Sequence, residues 1–277
     1  MVIGCVYILL ATGLNLIFGV MKLVNFAHGQ LLMIGAFITY SFAVYVGLNV
    51  YVSILVAMAI VAAIGVVVER LAFRKILGTD KLNEIFVSLG LIYIFENAAW
   101  LAWGQKTKQI VSPLNGLSVN LGSMSINYDR LSAMAIVVVV LVGLWLLMAK
   151  TKIGLAIRAT SQKSTTAMLM GINVNRVYLF TFVLGAALAC AAGALYGIIT
   201  PFSYLSGELP TIKAFAIIIL GGLGSIPGAI VGGLLYGVAE QTATLFFGAI
   251  WSNAVAFALL IVVLVIRPTG IFGEKGE

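Results

Sequence analysis

Charged side chains are scarce in this sequence: Asp, Glu, Lys and Arg make up only 9% of its 277 residues. Soluble domains carry roughly 25% charged residues and are about half apolar. Here the hydrophobic share is 62% and the mean hydropathy is +1.15. Because so few charges cannot cover a water-exposed surface, the composition indicates an integral membrane protein.

Cysteine and histidine are also rare, with two cysteines and one histidine in the whole chain. Cys5 and Cys190 both lie in apolar stretches without a Cys or His at ligand spacing, so a disulfide framework and a metal site lack support. His28 alone cannot form a metal centre. The sequence therefore predicts no metal site, and we expect no cofactor.

Enzyme motifs are missing as well. There is no G-x-x-x-x-G-K-[ST] loop to hold a nucleotide phosphate, so the chain cannot hydrolyse ATP alone. No nucleophile has a base partner, and we expect no catalytic residue and no enzymatic activity. The net charge of +7 lies in short loops between apolar runs, where membrane topology explains it better than binding to nucleic acid.

Apolar runs of about 20 residues recur along the chain, and a run of that length spans a bilayer as a helix. Residues 135–147 are apolar on every side, unlike the alternating strands of a barrel. We therefore predict an all-α, polytopic bundle, a single transmembrane domain over residues 1–277 with about eight passes. The first run is interpreted as a retained pass, since no basic segment or cleavage site accompanies it. The predicted spans are 2–20, 28–46, 50–68, 84–103, 131–149, 177–199, 212–236 and 249–266.

Basic residues predict the orientation in the membrane. The connector 150–176 contains five basic residues and no acidic residue, and the loop after the third span is also rich in bases. Since short cytoplasmic loops carry the excess of Lys and Arg, both should face the cytoplasm. The turn-rich connector 104–130 should then be periplasmic. The side on which Arg267 and Lys275 lie is left open.

Two interruptions divide the apolar pattern, one in each half of the chain, and each predicts an interrupted helix. At the second, the segment 212–247 is too long for one simple helix, and we expect either a helix break or a re-entrant dip. Non-helical backbone at membrane depth persists only where protein or a water-filled cavity satisfies it. Paired interruptions in a transporter indicate an internal repeat around a pathway. Two interpretations stay open, ordinary interfacial loops or a translocation pathway. On the second, the pathway residues at the interruptions are Asn25, His28, Gly29, Gly221, Gly222, Gly224 and Ser225.

Two carboxylates are predicted inside the membrane, Glu96 in the fourth span and Glu240 after the second interruption. A charge there usually faces the bundle interior or a cavity, which makes Glu96 a candidate pathway residue. A hydrogen-bonded structural Glu between helices is the equal alternative. A proton relay would need further aligned acids or histidines, and none appear. For His28, a cap or another hydrogen bond that satisfies the backbone is the more ordinary role.

Small residues recur every four positions in the sixth span, and the spacing repeats after the second interruption. Helices in lipid associate through close van der Waals contact, which small residues allow. We interpret both stripes as packing seams that carry no information about a substrate. Their members are Gly185, Ala189, Gly193 and Gly197 in the first, and Gly224, Gly228 and Gly232 in the second.

The basic connector 150–176 also predicts a short cytoplasmic helix over 154–170, with Gly171 as its stop. A plain charged connector is the alternative. If the helix docks onto a cytoplasmic partner, it couples that partner to the bundle. The coupling residues would then be Gly154, Arg158, Ala159, Lys163 and Gly171.

Four stretches of the chain resemble a known family. They are residues 25–29, 154–177 around the Met170-Gly171-Ile172-Asn173 sequence, 220–229 and 267–271. Together they resemble the LivH-type permease of branched-chain amino acid ABC importers over nearly the whole chain. The resemblance implies a multi-pass permease subunit of the bacterial inner membrane that imports Leu, Ile or Val by alternating access.

The resemblance also implies partners: a LivM-type second permease, two cytoplasmic ATPase subunits of the LivG and LivF type, and a periplasmic binding protein that delivers the amino acid. It implies that 154–171 fits into a groove on an ATPase, and that members carry further residues before the position of Met1. Two alternatives remain. One is the permease of a related urea or short-amide ABC importer, and the other is an ion-coupled secondary amino acid carrier, which would need buried charge relays.

Overall fold

The computed structural model describes residues 2–121 and 124–273, which form a helical bundle with one small hairpin. Six of the described helices, α1, α3, α4, α5, α8 and α10, are long and apolar enough to cross a membrane. The prediction of an all-α, polytopic bundle is confirmed. The helices are α1 Val2–Met21, α2 His28–Tyr40, α3 Val50–Leu71, α4 Lys81–Trp103, α5 Tyr128–Lys150, α6 Lys152–Gln162, α7 Ser164–Leu169, α8 Val174–Ile199, α9 Glu208–Gly221, α10 Ile226–Phe247 and α11 Ala249–Ile266.

The buried centre of the bundle consists of α1, α2 and α8. Helix α8 packs against α1, α2 and α3, and most residues of α1 and α8 are buried. Gly185 lies against Gly13 of α1, and Gly193 lies against the Leu32 carbonyl of α2. Ala189 is buried between them, and Gly197 contacts Phe202. A side chain at Gly193 would overlap the α2 backbone, so the small residues set how closely these helices approach.

The second interruption is a reversal of the chain. A single pass over 212–236 is wrong, because α9 and α10 lie antiparallel, with Gly221 against Gly228. The turn 222–225 places Gly222 and Gly224 at φ +107° and +87°, which glycine adopts without strain. Gly224 therefore belongs to the turn and not to a helical stripe. With 14 residues, α9 is roughly 21 Å long and shorter than a bilayer core of about 30 Å.

The first interruption is a short non-helical segment, 22–27, between α1 and α2. Its backbone is satisfied by α4: the Val24 N–H donates to the Glu84 carboxylate at 3.0 Å, and the Ser88 hydroxyl donates to the Val24 carbonyl at 3.4 Å. Phe26 contacts Phe215 of α9, with ring centroids 4.8 Å apart. Protein side chains thus replace water around this segment.

The predicted cytoplasmic helix over 154–170 is divided into α6 and α7. Lys163 separates them with an extended backbone, φ −156° and ψ 103°. The polar run around Lys163 has low helix propensity, which is the physical reason for the division. Thr151 caps α6 by accepting the Gly154 N–H at 3.0 Å. Gly171, at φ +81°, ends α7 and donates its N–H to the Met168 carbonyl, as predicted for a glycine stop.

A small hairpin, missed in the sequence, lies in the connector 104–130. Strands β1 Ser118–Leu121 and β2 Met124–Asn127 pair antiparallel, with Ser118 opposite Asn127. Both strands alternate apolar and polar residues in the sequence, which was the available signal. Earlier in the connector, Lys108 and Phe202 exchange two backbone hydrogen bonds of 2.8 Å. The connector is thereby fixed to the segment that follows α8.

The last described residues, 267–273, fold back onto α9. The N–H groups of Ile271 and Phe272 donate to the carbonyls of Leu220 and Gly221 at 3.0 and 2.9 Å. These carbonyls lie at the end of α9, where no later helical N–H is available to them. Pro268 and Arg158 line the same cavity, so the segment after Arg267 lies on the same side of the bundle as α6. Lys275 is outside the described residues.

Candidate translocation site

Asn15, on the buried helix α1, holds the glycine turn 222–225 from inside the bundle. Its Nδ2 donates to the Ser225 carbonyl at 2.6 Å, and its Oδ1 accepts the Gly224 N–H at 2.7 Å. Asn15 is fully buried, and it satisfies turn groups that water would otherwise have to reach. Sequence reasoning missed this residue, although a lone amide in an apolar span was a usable signal.

Ser225 gives the turn a second fixed point. Its hydroxyl accepts the Gly228 N–H at 3.1 Å and thereby caps the first turn of α10. Gly19 of α1 lies against Gly224. The turn is therefore bound on one side by α1 and on the other by the helix that it starts.

A buried ion pair links α9 to α10. The Lys213 ammonium contacts the Glu240 carboxylate, and the two side chains are 9% and 12% exposed. The ammonium also lies 3.4 Å from the Tyr7 hydroxyl and 4.9 Å from the centre of the Tyr7 ring. Each charge compensates the other in a region where an isolated charge is strongly unfavourable. Lys213 was not predicted, and its position explains how Glu240 is tolerated.

Glu96 takes part in a hydrogen bond and also lines a cavity. Its Oε1 accepts the Gln30 Nε2 at 2.9 Å, and both residues are buried. The cavity, about 240 Å³, is also lined by Asn97, Trp100 and Tyr204. It lies toward the end of α4 that precedes the connector 104–130. Glu96 thus makes a hydrogen bond between helices and also faces a cavity, and its place in a translocation pathway stays a prediction.

The residues at the first interruption are enclosed by the bundle. Asn25 and His28 are 1% and 0% exposed. The Asn25 Oδ1 accepts the Ala27 N–H at 3.0 Å. His28 lies beside Gly13, and its side chain does not cap α2 as the sequence had suggested. Gly29 is packed against Gly207 and Thr211, which leaves no room for a side chain.

Two adjoining cavities lie beside α6, one between α1, α5, α6 and α10, and the other between α1, α6, the end of α9, the turn 222–225 and residues 268–273. The first, about 400 Å³, is here called the apolar crevice, and the second, about 670 Å³, the basic cleft. They share the wall formed by Gly19, Arg158, Ser161, Gly224 and Ser225. The apolar crevice is further lined by Leu16, Val20, Leu141, Leu144, Met148 and Ile230. The basic cleft is further lined by Lys22, Gln162, Leu223, Pro268, Thr269 and Gly273.

The structure separates the predicted pathway residues into groups. Gly224 and Ser225 line the two cavities beside α6, whereas Glu96 lines the cavity near the opposite end of the bundle. Asn25, His28 and Gly29 are buried by helix packing. At the second interruption, Gly221 lies against Gly228, and Gly222 lies against Gly273.

The predicted coupling residues are also divided between the bundle and the surface. Gly154 is packed against the backbone of α5 at Leu147 and Met148. Arg158 lines both cavities, and Ala159 is half-buried. Lys163 and Gly171 are exposed. Helix α6 is therefore seated on the bundle, and the region beyond it projects.

The fold defines a polytopic membrane protein, a helical bundle with cavities near its two ends. The family described as the permease component of branched-chain amino acid transport systems matches residues 1–264, and the chain belongs to this family. It is a multi-pass inner-membrane protein.

Relatives match over almost the full chain. The permease protein BraD of the high-affinity branched-chain amino acid transport system of Pseudomonas aeruginosa is 38% identical, over 98% of this chain and 93% of that protein. LivH of Escherichia coli K12 is 32% identical, over 98% and 92%. The probable LivH of Methanocaldococcus jannaschii is 30% identical, over 96% and 88%.

Proposed function

We propose that the chain is the membrane permease subunit of an ATP-driven importer of branched-chain amino acids, and that it works by alternating access. The observation that carries the proposal is the match of this chain, over nearly its whole length, to permeases named for that transport system. A related importer of urea or short amides uses the same subunit type and differs in its solute. An ion-coupled carrier is disfavoured by the family to which the chain belongs. Such a carrier would also need a relay of buried charges, whereas the described residues of α9 and α10 contain a single buried ion pair.

The proposed partners are a second permease of the LivM type, two cytoplasmic ATPase subunits of the LivG and LivF type, and a periplasmic binding protein. Helix α7 supports the ATPase contact, because Met168, Leu169 and Met170 are 54%, 86% and 79% exposed. Consecutive apolar residues projecting from a basic loop are typical of a surface that a protein partner covers. Helix α6 connects this surface to α1, α5 and α8.

The proposed mechanism links that surface to the turn 222–225. Arg158 of α6 and Ser225 of the turn line the same cavities, so a displacement of α6 reaches the turn directly. ATP binding must favour one arrangement of the bundle over the other for such a displacement to be driven. The turn then acts at the cytoplasmic end of the pathway, and the Glu96 cavity acts at the periplasmic end.

The test is transport by the reconstituted complex. Proteoliposomes containing this chain with its partner permease, ATPases and binding protein should accumulate labelled leucine only with ATP. Unlabelled isoleucine and valine should compete, and urea should not. Accumulation of urea instead of leucine would favour the alternative importer. Accumulation of leucine by this chain without any ATPase would refute the ATP-driven mechanism.

A further inference from the structure

The apolar crevice and the basic cleft differ sharply in chemistry although they adjoin. The crevice has side walls of aliphatic and aromatic residues from α1, α5 and α10. The cleft contains two cations, Lys22 and Arg158, together with the hydroxyls of Ser161, Ser225 and Thr269. A ligand that fills both must have an apolar part and an anionic polar part.

The described walls of the basic cleft carry positive charge. Among the lining residues that the structure describes, none has an acidic side chain. Within residues 2–121 and 124–273, the ion pairs involve other cations, so Lys22 and Arg158 have no carboxylate partner there. Both side chains are exposed to the cleft. The Ser161 hydroxyl already donates to the Arg158 carbonyl at 2.8 Å, whereas the Ser225 hydroxyl accepts the Gly228 N–H and keeps its own proton for an anion.

The crevice follows the depth of one membrane leaflet. Leu141, its far lining residue on α5, precedes the end of that helix at Lys150 by nine residues, which is roughly 13 Å along the axis. Half of a hydrocarbon core about 30 Å thick is of the same size. Trp145 lies at the rim and is 62% exposed. The cleft with its two cations lies at the end of α5 that the basic connector identifies as cytoplasmic.

We propose that the crevice and the cleft together bind one anionic phospholipid of the cytoplasmic leaflet. The phosphodiester lies between Lys22 and Arg158, and one acyl chain lies along the crevice against Leu144 and Ile230. Basic pockets between transmembrane helices on the cytoplasmic side recognise anionic headgroups in this way. Because Arg158 and Ser225 line both cavities, the lipid joins α6 to the turn 222–225.

The experiment measures lipid binding to the full-length chain, purified in detergent and delipidated, by native mass spectrometry. Phosphatidylglycerol should bind at least tenfold more tightly than phosphatidylcholine with the same acyl chains. Lys22→Ala and Arg158→Ala should each weaken phosphatidylglycerol binding about fivefold, the effect of one cation near an anionic headgroup. The matched control is Lys152→Ala with Lys163→Ala, which removes two cations of the same connector outside the cavities and should leave the affinity unchanged.

Two further probes separate a lipid site from a simple anion site. Dihexanoyl phosphatidylglycerol should bind much more weakly than the dioleoyl lipid, and inorganic phosphate should not displace the dioleoyl lipid. Equal binding of the two chain lengths, or displacement by phosphate, would overturn the proposal in favour of a free-anion site. Equal affinities in wild type and in the Lys22→Ala, Arg158→Ala variant would also overturn it. Lys22→Arg with Arg158→Lys keeps both charges and should restore binding, which separates loss of charge from loss of folding.

Discussion

At the scale of single residues, the membrane interior is organised by a few polar side chains that each have a defined partner. Asn15 binds two backbone groups of the turn 222–225, Lys213 pairs with Glu240, and Gln30 donates to Glu96. Each contact joins two different elements, and those of Asn15 and Gln30 join elements far apart in the sequence. Inside a membrane, a polar side chain is favourable where it satisfies a donor or acceptor that would otherwise have no partner. These residues therefore determine which helices can move separately.

Replacing Asn15 by Ala should loosen the turn 222–225. The Gly224 N–H would lose its side-chain acceptor, whereas the Ser225 carbonyl would keep the Ala229 N–H at 2.9 Å. Since Gly224 is exposed and Ser225 is half-buried, we expect the cost of an ordinary lost hydrogen bond, about 0.5 to 1.5 kcal/mol. We expect a lower thermal midpoint in detergent and reduced ATP-dependent uptake by the reconstituted complex. Thr12→Val is the control, because the Thr12 hydroxyl bonds only within α1, to the Ile8 carbonyl. Equal effects of the two substitutions would contradict the role given to Asn15.

The Lys213–Glu240 pair should show strong coupling in a double-mutant cycle. Lys213→Met leaves the Glu240 carboxylate buried without its partner, and removing one member of a buried pair costs about 3 to 5 kcal/mol. Glu240→Gln should be similarly destabilising. The double variant should recover most of the loss, as measured by thermal unfolding of the purified chain. Additive losses would show that the two side chains do not depend on each other.

At the scale of elements, glycine positions decide where helices touch and where the chain turns. Gly185 and Gly193 of α8 contact backbone atoms of α1 and α2, whereas at Gly90 of α4 no described residue lies within 4 Å of where a Cβ would be. The same residue type thus has different consequences on a central and on a peripheral helix. Burial, and not the glycine spacing alone, distinguishes the two cases.

Gly193→Leu should therefore prevent α8 from packing on α2. The new side chain would overlap the Leu32 backbone. Overpacking of this kind lowers the free energy of unfolding by about 1 to 3 kcal/mol or more. We expect little folded protein by size-exclusion chromatography after expression. Gly90→Ala is the matched control in α4 and should be neutral or slightly stabilising, since Ala favours helix by up to about 1 kcal/mol. Normal yield of Gly193→Leu would rule out the close contact.

Helix α7 should behave as a partner surface and not as part of the bundle. Leu169 is 86% exposed. Leu169→Asp should therefore leave the free energy of unfolding of the isolated chain within about 0.5 kcal/mol of wild type, as surface substitutions do. It should nevertheless lower ATPase co-purification and ATP-dependent uptake several-fold. Thr79→Asp, an exposed residue of the other basic loop, introduces the same charge and should have a smaller effect. Unchanged co-purification of Leu169→Asp would remove α7 from the docking surface.

At the scale of the whole molecule, the sequence predicted the helical bundle because nearly every span is a continuous apolar run. At the second interruption it left a helix break and a re-entrant dip open, since glycine and proline indicate a break without giving the direction of the chain after it. Only tertiary contacts distinguish the hairpin of α9 and α10 from a kinked pass. Asn15 escaped notice because its partner is remote in sequence, and Lys213 because its partner lies on the far side of a turn whose direction was open.

The orientation can be tested by labelling of intact cells. In this chain Cys190 is buried and Cys5 is half-buried, so the background of reaction with a membrane-impermeant maleimide should be low. Asn115→Cys, in the exposed part of connector 104–130, should react from outside. Lys163→Cys, between α6 and α7, should react only after the membrane is made permeable. The reverse pattern would invert the topology derived from the basic loops.

The capping of α9 by residues 267–273 has a consequence for the order of events during synthesis. The carbonyls of Leu220 and Gly221 receive their donors from Ile271 and Phe272, which the ribosome adds about fifty residues later, after α10 and α11 have been translated. The α9–α10 hairpin therefore enters the bilayer incomplete. Its closure awaits the emergence of residues 267–273 from the ribosome, so a stop codon in place of Arg267 would yield a protein in which all the described helices are translated and the end of α9 lacks these two donors.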